Sequence, residues 1–131
     1  MDLAAATDLL RARAPSLRVA WLHGSRARGD ARTDSDVDLA FLAEAPIRLD
    51  ALLALQADLA AILGTEVDLV DLFTADDVLR VQVIEHGQVL FERTPSDRAR
   101  FEMNALSRYA HLNEERRWIL EDVYRRGSVY G

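Results

Sequence analysis

The chain has 131 residues, half of them hydrophobic, which suits one domain with a real core. It has no cysteine, which excludes disulfides and thiolate metal sites, and its net charge of −6 speaks against nonspecific nucleic-acid binding. The N-terminus shows no basic segment leading into an apolar one, and no apolar run is long enough to span a membrane, so the expectation is a soluble cytoplasmic protein without membrane contact.

Residues 3–13 read as a short amphipathic helix stopped by Pro15. Residues 17–23, an apolar run with one arginine, read as a strand. Gly24-Ser25 follows, where glycine permits a tight turn and close backbone approach to a ligand, and the serine offers a hydroxyl and a backbone N–H. Arg26, Arg28 and Arg32 add positive charge, and Gly29 can end a short helical turn. Gly24, Ser25, Arg26, Arg28 and Gly29 are therefore candidate binders of a polyphosphate.

Ten residues separate Ser25 from Asp36, which opens a second strand over about 36–42. Asp36 and Asp38 share one strand face, while Val37, Leu39 and Phe41 share the other and point into a core. Paired carboxylates repel unless a cation lies between them, and Mg²⁺ favours carboxylate and phosphate oxygens. A phosphate cradle followed by a metal-binding pair suggests a site that transfers a nucleotide from its triphosphate.

Residues 48–63 form a helix with Leu49, Leu52, Leu53, Leu59, Ala60 and Leu63 on one stripe, and Gly64 stands where a left-handed cap belongs. A third strand covers about 65–71. There Asp68 falls on the face opposite Val67 and Leu69, whereas Asp71 has the wrong parity; Glu66 competes with Asp68 and is less well flanked by strand residues. Thr74-Ala75-Asp76-Asp77 resembles a capping box that opens a helix to about residue 85, and residues 87–91 are a short strand. Thr94, Pro95 and Asp97 then supply an N-cap, an N1 proline and an N3 acid for a long helix to about Arg126, with a candidate break near Asn113.

The pattern is α/β: a small mixed sheet with helices on one face, three aspartates in a cleft on the other, and a long C-terminal helix. Phe101, Ala105, Tyr109 and Leu112 form a stripe that continues through Ile119 and Val123. Beyond Asn113 a domain of this size runs short of surface to cover, so residues 113–131, with Trp118 and Tyr124 among arginines, are a candidate partner-binding tail of the single domain 1–131. The charge is uneven: residues 1–92 carry 8 arginines and 16 acids, residues 93–131 carry 8 arginines and 6 acids. His23 reads as a satisfied structural histidine beside the turn. The Arg80-x5-His86 spacing, reminiscent of HEPN ribonucleases, reads as coincidence in a chain that is not all-helical.

These residues together resemble the minimal nucleotidyltransferases, a branch of the polymerase-β-like nucleotidyltransferase superfamily. The resemblance rests on Gly24-Ser25, Ala27-Arg28-Gly29, Ser35-Asp36-Val37-Asp38-Leu39 and Val67-Asp68-Leu69-Val70, and it covers nearly the whole chain. It implies that Asp36 and Asp38 bind two Mg²⁺ ions, that Asp68 shares one and helps activate the attacking hydroxyl, and that Gly24 and Ser25 hold the β- and γ-phosphates of ATP. It further implies an antitoxin that adenylylates a tyrosine of a HEPN ribonuclease toxin. The other readings are an antitoxin that acts by binding alone and a nucleotidyltransferase of small molecules such as antibiotics.

Overall fold

The structure, a computed structural model, describes residues 1–24 and 36–130, with side chains to residue 117. Among the described residues the elements run α1 (Leu3–Arg13), β1 (Leu17–His23), β2 (Val37–Ala43), α2 (Leu49–Leu63), β3 (Val67–Asp71), α3 (Asp77–His86), β4 (Gln88–Glu92) and α4 (Pro95–Tyr130). The strands form one mixed sheet in the order β3-β2-β1-β4. β1 is antiparallel to β2 and to β4, whereas β2 and β3 are parallel, joined by the crossover through α2.

Local chemistry explains the element ends. The Asp2 carboxylate accepts from the Ala5 N–H at 3.0 Å and starts α1. Gly64 closes α2 at φ +69°, the left-handed conformation expected of it. Thr94 Oγ1 accepts from the Asp97 N–H at 3.1 Å, as an N-cap before Pro95 should. The cap of α3 differs from expectation. Asp76, not Thr74, accepts from the Leu79 N–H at 2.8 Å, because the helix begins only at Asp77, after a turn in which the Thr74 N–H and hydroxyl both donate to the Asp71 carbonyl.

Each sheet face carries its own core. Ala20 and Leu22 of β1, Val37, Leu39 and Phe41 of β2, and Val67 and Leu69 of β3 pack with Ala6 and Leu10 of α1 and Leu55 and Leu59 of α2. Val19, Trp21, Ala40 and Leu42 face the other way and pack with Leu72, with Val83 of α3 and with Phe101 of α4. The helices α1 and α2 thus cover one face as expected. In addition α3 and the root of α4 cover part of the second face, which the aspartates share. Trp21 anchors that half: its side chain is fully buried, and the Phe101 ring meets it at 5.3 Å with a 48° tilt.

The final helix is unbroken over 36 residues, about 54 Å. The break considered near Asn113 does not occur. A lone asparagine costs only a few tenths of a kcal/mol against its neighbours, and the i,i+4 pair His111–Glu115 (3.2 Å) spans the position. Ala105 is buried, and Phe101, Tyr109 and Leu112 are half-buried, so this side of the helix faces the body. The side chains of Trp118, Ile119, Val123 and Tyr124 lie outside the described residues.

Asp71 is a structural carboxylate. It is 6% exposed, with one oxygen accepting from the Ile47 N–H and the other from the Phe73 N–H, both at 2.9 Å. Asp71→Ala would strand two part-buried donors that join the β2–α2 and β3–α3 loops. It should lower unfolding stability by about 2–4 kcal/mol in urea titration, with β-sheet structure retained below the midpoint.

Candidate functional site

The candidate site forms where the C-terminal end of β1 meets the N-terminal ends of β2 and β3. In the register of the sheet, His23 lies opposite Asp38, and Asp38 lies beside Asp68. Register partners share a face, so these three side chains form a row across three adjacent strands, at about 4.8 Å per strand. The partner faces of β2 and β3 are sealed by Val37, Leu39, Val67 and Leu69, all buried, and this packing holds the carboxylates outward. Asp38 is half-buried and Asp68 is exposed.

Asp36 precedes β2 and is exposed; it shares the parity of Asp38 and so projects on the same side of the chain. Glu66 precedes β3, where its backbone carbonyl accepts from the Val37 N–H at 3.0 Å. Asp68, not Glu66, is the acid in register with Asp38. Ser25, Arg26, Arg28, Gly29 and Arg32 lie outside the described residues.

Gly24 is the described end of the turn. Its φ is +71°, and a Cβ built there would run into the Asp38 carboxylate. Both constraints require glycine: the left-handed backbone and the absence of a side chain beside Asp38. The same proximity makes the site a cradle in which backbone and carboxylate face a common space.

The expectation of a satisfied structural histidine is met only in part, by a hydrogen bond with the Leu39 backbone. Among the described residues, the buried Nε2 of His23 has no hydrogen-bond partner. Burial lowers the His23 pKa, while the negative charge of Asp38 and Asp68 and a hydrogen bond with the Leu39 backbone oppose that shift without cancelling it. The imidazole is therefore neutral at neutral pH. Its place beside Asp38 escaped sequence reading because strand register between β1 and β2 is a long-range property, and the spacing of His23 and Asp38 carries no signal of it.

Among the described residues, no three His, Asp or Glu side chains close a metal site by themselves. That is compatible with Mg²⁺, which usually takes one or two protein carboxylates and completes its octahedron with phosphate oxygens and water. The hard oxygen donors of Asp36, Asp38 and Asp68 suit such an ion, and the missing side chain at Gly24 lets the Asp38 carboxylate lie close against the backbone of the turn.

Comparison with known proteins agrees with the architecture. A strand-borne row of aspartates on a small mixed sheet belongs to the nucleotidyltransferase class. Residues 7–96 match the family model described as polymerase beta, nucleotidyltransferase. Protein adenylyltransferase MntA of Shewanella oneidensis is 39% identical over 115 residues, covering 88% of this chain and 82% of that protein. The chain is a member of the polymerase beta nucleotidyltransferase family. A crystal structure of a toxin-antitoxin with AMP-PNP contains a chain that superposes with a TM-score of 0.84 at 36% identity, covering 94% of this chain and 98% of that one. A complex of tri-AMPylated Shewanella oneidensis HEPN toxin with MNT antitoxin gives a TM-score of 0.79 at 35% identity, over 93% and 95% of the two chains. Among the described residues no helix is long and apolar enough to cross a membrane.

Gly24→Ala tests the cradle. A methyl group there must displace the Asp38 carboxylate and adopt a left-handed backbone. The expected cost is about 2–4 kcal/mol of stability, with loss of Mg²⁺-dependent nucleotide binding in calorimetry. A variant that binds nucleotide as wild type would separate Gly24 from the site.

Proposed function

We propose that this chain is a protein adenylyltransferase that moves AMP from ATP to a tyrosine hydroxyl of a HEPN toxin, and so acts as the toxin's antitoxin. The observation that carries the proposal is the register of Asp38 beside Asp68, next to the close approach of Gly24, in a chain 39% identical to the adenylyltransferase MntA. The AMP-PNP and tri-AMPylated toxin complexes of similar chains support both substrates.

In this reading Asp36, Asp38 and Asp68 would hold two Mg²⁺ ions together with the triphosphate. Bound Mg²⁺ supplies Lewis-acid neutralisation of the phosphate oxygens and of the attacking hydroxyl. Asp68, the exposed member of the row, faces the arriving acceptor and draws its hydroxyl proton. The acceptor oxygen then forms a bond to the α-phosphorus as the bond from that phosphorus to the bridging oxygen breaks, and pyrophosphate leaves. Gly24, Ser25 and Gly29 supply backbone and hydroxyl donors to the β- and γ-phosphates, and Arg26 and Arg28 offset charge on the departing pyrophosphate. Neutral His23 borders the row and adds no positive charge that would compete with metal for Asp38. An antitoxin that acted by occlusion alone would need none of this set, so the intact row favours an enzyme. Residues 113–131 serve as a partner-binding extension of the single domain.

Two experiments test the reading. With ATP, Mg²⁺ and the cognate toxin, Asp38→Asn and Asp68→Asn should each slow the appearance of AMP-modified toxin in intact-mass spectra by at least about a hundredfold, while Tm changes little. Near-wild-type transfer by either variant would sink the assignment. Truncation before Asn113 should leave a folded domain that binds ATP yet no longer co-purifies with toxin. If the truncated chain captures toxin undiminished, the interface lies elsewhere; if it fails to fold, the whole of α4 belongs to the core.

A further inference from the structure

A second concentration of charge lies on the aspartate-bearing face at the other end of the sheet. A cleft of about 340 Å³ opens there between the sheet and the root of α4. One face of α4 lines it, through Asp97, Arg100, Phe101, Asn104, Ala105 and Arg108, which recur at i, i+3, i+4 spacing. Leu42 and Phe101 give it an apolar floor, and Phe73, 43% exposed, stands at its edge. Arg18, Arg80, Arg100 and Arg108 contribute four guanidinium groups.

The existing partners of these arginines are unequal. Arg80 donates to the carbonyls of Leu72 and Phe73, both at 2.8 Å, and Arg108 pairs with Asp77 at 3.2 Å. Asp97 is the lining carboxylate, but it is engaged by Arg93 at 3.0 and 3.1 Å and by the Thr94 hydroxyl at 3.0 Å. Among the described residues that leaves Arg18, which feels the Asp97 charge but whose buried Nε has no hydrogen-bond partner, and Arg100, for which no ion pair is formed. A buried guanidinium N–H without an acceptor is costly, and that of Arg18, beside the exposed guanidinium of Arg100 and above an apolar floor, fits an anionic group carried on an apolar neighbour.

We propose that this cleft docks an acidic side chain and an adjoining apolar residue of the protein that accepts the nucleotide. The inference rests on the protein-acceptor reading above. Charge favours it: residues 1–92 hold twice as many acids as arginines, so an acidic segment is repelled by most of the body and drawn to the arginine-rich root of α4. Placement favours it too. From Asp38 to Leu42 along β2 is about 13 Å, so a segment seated in the cleft leaves the row of aspartates within reach of the same partner. The cleft is open and edged by an exposed aromatic, which suits a protruding side chain of a macromolecule better than a small free anion.

The test compares wild type, Arg100→Glu, Arg100→Ala and Arg100→Lys, using the cognate HEPN toxin as the probe for capture and for transfer. Arg100→Glu should raise the toxin Kd and the toxin KM about tenfold, Arg100→Ala about threefold, and Arg100→Lys should recover most of the loss. The kcat at saturating toxin and the affinity for ATP should not change, and capture by Arg100→Glu should depend less steeply on salt than capture by wild type. Unchanged Kd in both Arg100→Glu and Arg100→Ala overturns the proposal. So does Arg100-dependent binding of inorganic phosphate with toxin capture unaffected, which would make the cleft a small-anion site. A wild type that captures toxin without transferring AMP sinks the enzymatic reading alone, with the Arg100 dependence of capture still deciding the cleft; a wild type that captures no toxin overturns the cleft.

Discussion

The parallel pairing of β2 with β3 is the constraint on which the site depends. It sets Asp38 beside Asp68 on neighbouring strands, an arrangement that like charges oppose. The sheet must hold that pair without help from the carboxylates themselves. Burial of Val37, Leu39, Phe41, Val67 and Leu69 against α1 and α2 supplies the restoring force, because a slip of one residue would turn every one of these side chains onto the face that carries the carboxylates. The edge is pinned as well. β3 is an edge strand, and Gln56 of α2 accepts from the outward Leu69 N–H at 2.9 Å, immediately after Asp68. Asp71 ties the far end of β3 to the start of the α2 segment through the Ile47 N–H. The crossover helix thus positions the third aspartate twice over, by packing and by hydrogen bonds.

The two sheet faces divide the labour differently. The α1/α2 face is closed along its length and carries most of the core. The other face is closed only over half its length, by α3 and the root of α4 around Trp21 and Phe101, and the remaining half is left to the carboxylates. A small domain cannot cover both faces fully and still expose a reaction centre. Arg80, fastened to the carbonyls of Leu72 and Phe73, joins α3 to the loop after β3 and so stabilises the boundary between the closed and open halves.

What could be read from the sequence was mostly local. Alternation at 36–42, Gly64, and Thr94-Pro95-Asp97 are short-range signals, and they marked strand faces and helix ends within a residue or two. The relation of Asp38 to Asp68 was legible as shared parity, because an interior acid in an apolar strand has few other places to go. The position of His23 was not, since its proximity to Asp38 depends on the β1–β2 register. The cap of α3 moved from Thr74 to Asp76 because Thr74 belongs to the tight turn closed on the Asp71 carbonyl and the helix begins only at Asp77. The arginine-lined cleft joins Arg18 to Arg100, 82 positions apart in the sequence, a juxtaposition that only the closed sheet and the docking of α4 create.

On the proposed reading, catalysis and choice of acceptor are carried by opposite ends of one sheet face. The carboxylate row handles features common to any nucleoside triphosphate, namely phosphate charge and a hard metal ion, and nothing in it selects a protein. Selection needs surface that the nucleotide does not occupy, and that surface is the side of α4 and the segment around Phe73. A helix of about 54 Å anchored through Phe101 and Ala105 can lie along a partner without disturbing the register of β2 and β3, because its contacts with the sheet lie toward its first turns. Binding energy gathered there would act on the local concentration of the acceptor hydroxyl near Asp68, not on the chemistry at phosphorus. The separation explains how an acidic domain of this size can combine a general nucleotide-transfer site with a particular protein substrate.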